Sequence, residues 1–260
     1  MNGLSAAERR SMIAQKVLKE GRVWTFELQK QFHVDQTSIW RDLRVLEQGG
    51  QLKRVHGGAV TLTVNARVES FAEKMKSHLK EKESIGQAAA SLIDPHKICL
   101  FDSGTTTLQI VKHIPVELRQ AHPLTLVTNS IPLTQEVLAW PQPNLILLGG
   151  IYLPEYQATV GPQTLSQLRE LSADLVFLGT DGITLEEGVT TANILMAEVD
   201  RLMVERSRRA VLVTDSSKFG RVGFVPVTPV NAFQTLITDT NAPPHLVDAI
   251  RAQGVEVLLV

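Results

Sequence analysis

An α/β chain, with a small basic helical head ahead of a largely parallel α/β body, is the architecture this sequence predicts. Three observations predict it. Residues 1–60 carry ten Lys and Arg against six Asp and Glu, a local charge of +4, while the remainder carries 16 against 21, or −5. The head reads as short helices ending in a two-stranded hairpin. Beyond residue 85, continuous apolar runs end again and again in small polar loops followed by helical stretches, as in a parallel sheet covered on both faces. With 43% hydrophobic and 20% charged residues among 260, the chain can fill packed cores and is not of the disordered class. Its single cysteine, Cys99, excludes an internal disulfide framework and any cysteine-based zinc or iron–sulfur site. No signal peptide is expected at Met1–Arg10, and no run approaches the ~18 apolar residues of a membrane helix.

Element by element, Ala6–Glu20 lacks Gly and Pro, sets Ile13, Val17 and Leu18 on one side, and is stopped by Gly21. Val23 and Trp24 are extended in character. Thr25 is expected to cap a second helix running to about Phe32, with Phe26 and Leu28 inward. After a break at His33-Val34, Asp35 caps a third helix to about Gln48, whose stripe Ile39, Leu43 and Leu46 is buried. Gly49-Gly50 ends it. Leu52–Val55 alternates like a strand, and Gly57-Gly58 turns into Ala59-Val60-Thr61. This is a winged helix-turn-helix, and double-stranded DNA is the partner it suits. Gln36, Thr37, Trp40, Arg41 and Arg44 lie off the buried stripe of the third helix. Gln and Arg pair two-pronged with adenine and guanine edges in the major groove. Lys53, Arg54 and His56 on the wing would meet phosphates or the minor groove. Pattern alone leaves a second reading open, a solvated charged face.

The blocks Glu8-Arg9-Arg10, Gly21-Arg22-Val23, Glu27-Leu28, Ile39-x-Arg41-Asp42-Leu43-x-x-Leu46-Glu47 and Leu52-x-Arg54-Val55-His56-Gly57-Gly58-Ala59 closely resemble the DeoR family of bacterial transcriptional regulators. The resemblance implies that residues 1–61 bind operator DNA. Two places depart from it: Asp35 stands where Ser is usual at the cap, and Ser38-Ile39-Trp40-Arg41 replaces Thr-Ile-Arg-Arg. Trp40 offers a ring to stack on a sugar or pack on a thymine methyl.

Residues 62–84 read as a linker joined to a helix, with Phe71, Met75 and Leu79 spaced at four and a solvated charged face. The domain of residues 85–260 then repeats one grammar. Lys97–Phe101 leads into Asp102-Ser103-Gly104-Thr105-Thr106, Leu124–Val127 into Thr128-Asn129-Ser130, and Leu145–Leu148 into Gly149-Gly150. Leu175–Leu178 leads into Gly179-Thr180-Asp181-Gly182 and Ala210–Val213 into Asp215–Gly220, with later strands at Leu236-Ile237 and Val255–Val260. Ligands of open α/β sheets sit beyond the carboxyl ends of strands, where all these loops lie. If the loops are adjacent, Asp102, Ser103, Gly104, Thr105, Thr106, Thr128, Asn129, Gly149, Asp181 and Lys218 converge on one pocket fitted to a phosphorylated polyol. The turn at Ser103–Thr106 offers amides and hydroxyls to the phosphate, Lys218 adds charge, and Asp102 or Asp181 accepts from hydroxyls. Each loop taken singly is equally an ordinary cap or turn. No phosphate-loop or dinucleotide fingerprint is present and the seven histidines show no ligand spacing, so no cofactor and no metal is expected.

The same family resemblance runs through the body, on Asp102–Thr106, Thr128-Asn129-Ser130, Gly149-Gly150, Gly179–Ile183, Gly188–Thr191 and Asp215–Gly220. It implies a sensor domain similar in fold to ribose-phosphate isomerases and CoA transferases. It also implies a phosphorylated sugar or sugar-alcohol effector, and repression of a catabolic operon that the effector relieves. A homo-oligomer, dimer or tetramer, on paired half-sites is expected, working in the bacterial cytoplasm at the nucleoid. Departures are Leu195-Met196 and Glu198-Val199-Asp200-Arg201, where acidic residues and Glu-Val-Lys-Arg are usual, and His96 in place of Gly. Two alternatives stand beside this reading: an isomerase-like enzyme fused to a DNA reader, and a regulator whose pocket is vestigial. Against the enzyme, Gly182 fills the second acidic position of an isomerase-like Gly-x-Asp-Glu.

Overall fold

Ser5 and Glu8 close a capping box at the start of helix α1 (Ala6–Glu20), each side chain accepting from the other's amide at 2.9–3.3 Å. The structure, a computed structural model, describes residues 5–20, 22–49, 51–55, 57–61, 69–95, 97–120 and 124–260. Gly21, Gly50, His56 and His96 lie outside the described residues, as do most of the 62–84 linker's first residues and the side chains of Leu18 and Lys53. The chain divides into two compact units, residues 1–68 with 220–222, and residues 69–219 with 223–260.

In the first unit α1 is followed by β1 (Arg22–Trp24), α2 (Thr25–Phe32), α3 (Gln36–Gln48), β2 (Leu52–Val55) and β3 (Gly58–Thr61). The strands form an antiparallel sheet in the order β1-β3-β2, the wing the sequence predicts. A Cβ on Gly58 would sit 2.0 Å from the Val23 carbonyl oxygen, so only glycine lets β3 pack against β1. Ile13, Val17, Val23, Leu28, Ile39, Leu43 and Leu52 are fully buried and fill one small core. Two expectations fail here. Trp24 holds the cap position of α2, while the amide and the hydroxyl of Thr25 both donate to the Gly57 carbonyl at 2.8 Å. Phe26 is 57% exposed. Residues two apart lie about 200° around a helix, so Phe26 and Leu28 cannot face one core, and Leu28 occupies it.

The second unit opens with α4 (Phe71–Lys76), α5 (Leu79–Ala90), β4 (Ile98–Phe101), α6 (Thr105–His113), α7 (Val116–Gln120), β5 (Thr125–Thr128), α8 (Ile131–Leu138) and β6 (Leu145–Leu147). Then come β7 (Ile151–Leu153), β8 (Ala158–Val160), α9 (Pro162–Arg169), β9 (Ala173–Leu178), β10 (Gly182–Thr184), β11 (Gly188–Thr191) and α10 (Ile194–Glu205). It closes with β12 (Ser207–Val213), β13 (Val225–Thr228), β14 (Thr235–Thr238), α11 (Pro244–Ala252) and β15 (Glu256–Leu259). Seven strands form one sheet in the order β15-β14-β12-β9-β4-β5-β6, every neighbour pair parallel. All seven are strands the sequence predicts. The short antiparallel pairings β7-β8 and β10-β11-β13 are not among them, because three- and four-residue strands carry too little periodicity. Phe101 and Phe177 stack at 5.3 Å between rings in the centre of the core.

The segment read as linker and charged helix departs most. It forms two helices broken at Ser77-His78, where His78 is left-handed at φ 51°, so Leu79 leaves the apolar stripe and is exposed. α5 lies against α6 so closely that a Cβ on Gly86 would meet the backbone and Cβ of Gln109 at 2.7 Å. Gly86→Ala is therefore expected to destabilise the second unit by about 1–3 kcal/mol, through overpacking against a helix that cannot yield. A lowered urea midpoint with an unchanged slope is the expected reading. Among the described residues no helix is long and apolar enough to cross a membrane.

Candidate functional site

The first candidate surface is the outer face of α3. Asp35 accepts from the Ser38 amide and hydroxyl at 2.9 Å and fixes the helix start. Gln36, Thr37, Trp40, Arg41 and Arg44 are all exposed and share one face at helical spacing, opposite buried Ile39, Leu43 and Leu46. Asp42, only 2% exposed, is turned inward to the Arg9 guanidinium at 2.6 Å, with Arg10 at 4.0 Å, and this ties α3 to α1. Arg54 has a fixed position on the wing. Its amide and Nε donate to Glu47 at 2.9 and 2.6 Å, and its guanidinium lies 5.5 Å from the Trp40 ring. Helix and wing thus present Trp40 and Arg54 as one unit. Nothing in the sequence pattern flags this link, because it joins β2 to a helix residue fourteen positions earlier. Of the wing residues expected to contact DNA, Lys53 and His56 have side chains that lie outside the described residues.

The second candidate is a pocket at the carboxyl ends of β4, β9 and β12, adjacent in the sheet. The chain runs from β4 outward through β5 and β6, then returns to β9 on the other side. The loops after β4 and β9 therefore diverge and leave a crevice, the expected ligand position in such a sheet. Asp102, Ser103, Gly104, Thr105, Thr106, Asp181 and Lys218 all line it. Asp102 has a bracing role in place of the expected reach toward sugar hydroxyls. Its Oδ1 accepts from the Gly104 amide at 2.8 Å and the Thr107 hydroxyl at 2.6 Å, and its Oδ2 accepts from the Gly179 amide at 2.6 Å. Burial raises its pKa, opposed by these donors. The carboxylate pins the turn after β4 to the turn after β9. The first amides of α6, from Thr105 on, have no partner within their own helix, and Ser103, Thr105 and Thr106 at that helix start all line the pocket.

Three expected pocket residues lie elsewhere. Thr128, fully buried, donates its hydroxyl to the Phe101 carbonyl at 2.8 Å. Asn129 donates to the Thr159 carbonyl at 2.9 Å. Gly149 is exposed, and its amide meets the Gln167 side chain at 3.2 Å. The loops after β5 and β6 are spent on joining the sheet to β8 and α9, so the same small polar residues serve as structure.

Two lysines complete the pocket from the segment read as a solvated face. Lys74 pairs with Asp181 and lies 5.4 Å from the Tyr156 ring. Burial would raise the Asp181 pKa, but the field and hydrogen bond of Lys74, with Lys218, carry it down to about 2. Asp181 also accepts from the Thr191 hydroxyl at 3.0 Å and the Ala192 amide at 3.1 Å. Lys82, 2% exposed, donates to the carbonyls of Lys74 and Ser77 at 2.5 and 2.7 Å, and burial lowers its pKa to about 8 against the field of Asp215. Asp215 caps the turn at Ser216–Lys218 by accepting from the Ser217 amide at 3.0 Å, and Lys218 is thereby held at the pocket wall. Lys74, Lys82 and Lys218, the turn at Ser103–Thr106 and the acids Asp102, Asp181, Asp200 and Asp215 line one pocket, a set of groups that can hold a phosphorylated polyhydroxy compound.

Residues 9–64 match the DeoR-like helix-turn-helix domain family, and residues 77–240 match the DeoR C terminal sensor domain family. A putative aga operon transcriptional repressor of Escherichia coli O157:H7 is 32% identical, covering 98% of this chain and 94% of its own length. The HTH-type transcriptional regulator GlpR of Haloferax volcanii is also 32% identical, with 97% of each chain covered. The HTH-type transcriptional repressor GlcR of Bacillus subtilis is 29% identical over 97% of this chain and 95% of its own. Among solved structures, a ribose 5-phosphate isomerase A from Methanocaldococcus jannaschii covers 56% of each chain at 14% identity and a TM-score of 0.41.

Proposed function

The chain belongs to the DeoR family of transcriptional regulators, and from that premise we propose that α3 and the wing hold operator DNA while the β4/β9 pocket binds the sugar phosphate that releases it. It is a repressor of a sugar-utilisation operon, a reading supported by relatives named as transcriptional repressors that it matches along nearly its whole length. The observation that carries the sensor role is the brace of Asp102, which holds a hydroxyl-rich turn at a helix start in a pocket that Lys218 also lines. A phosphate dianion is what such a turn accepts best. The protein acts at chromosomal DNA, as an oligomer on paired half-sites whose spacing follows its symmetry. Effector binding shifts the population between DNA-competent and DNA-incompetent states, which requires unequal effector affinity for the two.

A thermal-shift panel of sugar and sugar-alcohol phosphates tests the sensor. At least one is expected to raise the melting temperature of the body and lower operator affinity, and uniform silence would refute the pocket. For the reader, Arg44→Ala is expected to weaken operator binding by about 10–100-fold, without changing effector-induced stabilisation. Unchanged anisotropy titrations on the operator would remove Arg44 from the interface.

A further inference from the structure

The two edges of the seven-stranded sheet are built differently. At β15 the Glu256 amide donates to the Gln234 carbonyl and the Val260 amide to the Thr238 carbonyl. Residues 256, 258 and 260 therefore face β14, and residues 257 and 259 turn their N–H and C=O outward. This edge is guarded. Arg251 donates to the outward Val257 carbonyl at 3.1 Å, and the exposed Glu256 carboxylate adds charge. Caps and charges of this kind keep an edge from pairing with another chain. At β6 the Leu126 amide donates to the Asn144 carbonyl and the Leu148 amide to the Thr128 carbonyl. By the same count Leu145 and Leu147 turn their N–H and C=O outward, and among the described residues these groups have no partner. No charge guards them, since none of the 18 residues from Val137 to Pro154 is Asp, Glu, Lys, Arg or His.

Ile146 and Leu147 point to opposite faces of the sheet and are both exposed, although strands of a parallel sheet are normally covered on both faces. Exposed Leu138, at the end of the helix that packs on β6, and exposed Ile151 and Tyr152, just past Gly149-Gly150, flank the strand in the chain. These five side chains expose about 500 Å² in each chain, more than half of the roughly 800 Å² that each partner buries in a standard interface. We propose that β6 pairs with β6 of a second copy of this chain, antiparallel across a two-fold axis at Ile146. The strand is complementary to itself in that register. Leu145 and Leu147 lie symmetrically about Ile146, so Leu145 of each copy exchanges two hydrogen bonds with Leu147 of the other, and every outward group is satisfied. A two-fold axis sets each nearby charge against its own copy, a repulsion that an uncharged segment avoids. Any other partner needs a matching edge of its own, whereas a second copy brings one by construction. The contact rests on the reading above for the presence of a second copy on paired half-sites, and on the edge itself for its place.

Sedimentation of the full chain without DNA tests it. Ile146→Lys, at a side chain 40% exposed, is expected to halve the mass of the assembly and raise its dissociation constant about 100-fold, through like charges at the axis. Ile146→Asp is expected to do the same, and an equimolar mixture of the two variants to recover the mass, since Lys then faces Asp. Ile146→Cys is expected to give a disulfide-linked pair on mild oxidation, because the two Cα atoms of such a non-hydrogen-bonded pair lie about 4.5 Å apart. Cys99 is buried and does not compete. An assembly whose mass survives Ile146→Lys, a mixture that stays small, or an Ile146→Cys protein that does not cross-link overturns the contact and leaves the proposed DNA and effector roles standing. A monomer in the unaltered protein overturns the contact and the oligomer together, and operator titrations and the sugar-phosphate panel then decide those roles separately. The cross-link decides the contact if the charged variants fold poorly.

Discussion

Asp42→Ala is expected to remove operator binding without touching the exposed face of α3. The carboxylate is buried against Arg9, whose side chain is only 12% exposed, and Arg10 reaches it from the next position. Deleting it leaves a guanidinium nearly out of water without its carboxylate, and severs a charged tie between α1 and α3. Breaking a buried pair from one side costs about 3–5 kcal/mol, and partial solvent access at Arg9 and Arg10 brings the expected loss to about 2–3 kcal/mol. A core this small has little to spare. Two of the chain's three tryptophans, Trp24 and Trp40, lie in the first unit, so fluorescence follows its melting directly. The expected result is a head that melts early beside a body that melts as before. A head of unchanged stability in Asp42→Ala would show that the contact is idle.

Asp102→Ala strikes the other unit with a comparable loss. Three donors, the Gly104 and Gly179 amides and the Thr107 hydroxyl, converge on one carboxylate. Removing it leaves buried donors unsatisfied at about 1–3 kcal/mol each before relaxation, and frees two turns to separate. We expect denaturant stability to fall by about 3 kcal/mol, and operator binding to become insensitive to sugar phosphate, because the open amides lose their common aim. Asp102→Asn should not rescue the response, since its amide nitrogen must face a donor that a carboxylate oxygen accepts from. An Asp102→Asn protein that releases DNA as the unaltered one does would refute the brace. Titrating fluorescent operator with effector, beside a urea series, separates lost stability from lost response.

These two aspartates also mark how far the sequence could be read. The α3 stripe, the wing glycines and the seven parallel strands follow from periodicity and turn residues, which act over a few positions. Asp102 and Lys218 were legible as pocket residues because a polar loop after an apolar strand points to a carboxyl end. Which of those loops share a crevice depends on strand order, and strand order leaves no local trace. Thr128, Asn129 and Gly149 carry the same signature as Ser103 and Gly179, yet sit on the far side of the switch between β4 and β9. Lys74 and Lys82 escaped for the opposite reason. In a stretch rich in Lys and Glu they look solvated, and their inward turn is set by Asp181, 107 residues further on, and by a helix break at Ser77-His78. Asp200 was visible as a departure from the family pattern, and its lack of a partner emerged only in three dimensions.

The interleaved order of the sheet also sets a timetable for synthesis. β4 leaves the ribosome early, but one of its edges waits for β9, whose Leu175 pairs with Cys99, and β9 in turn waits for β12. The head, built from short-range contacts, can fold while that edge is still open. A chain stopped between β9 and β12 would carry a finished DNA reader on a body with an unpaired apolar strand, Ala173–Leu178, the kind of edge that seeks other chains. The pocket is complete only once Lys218 and Val227 have been made, long after the helices and wing of the head.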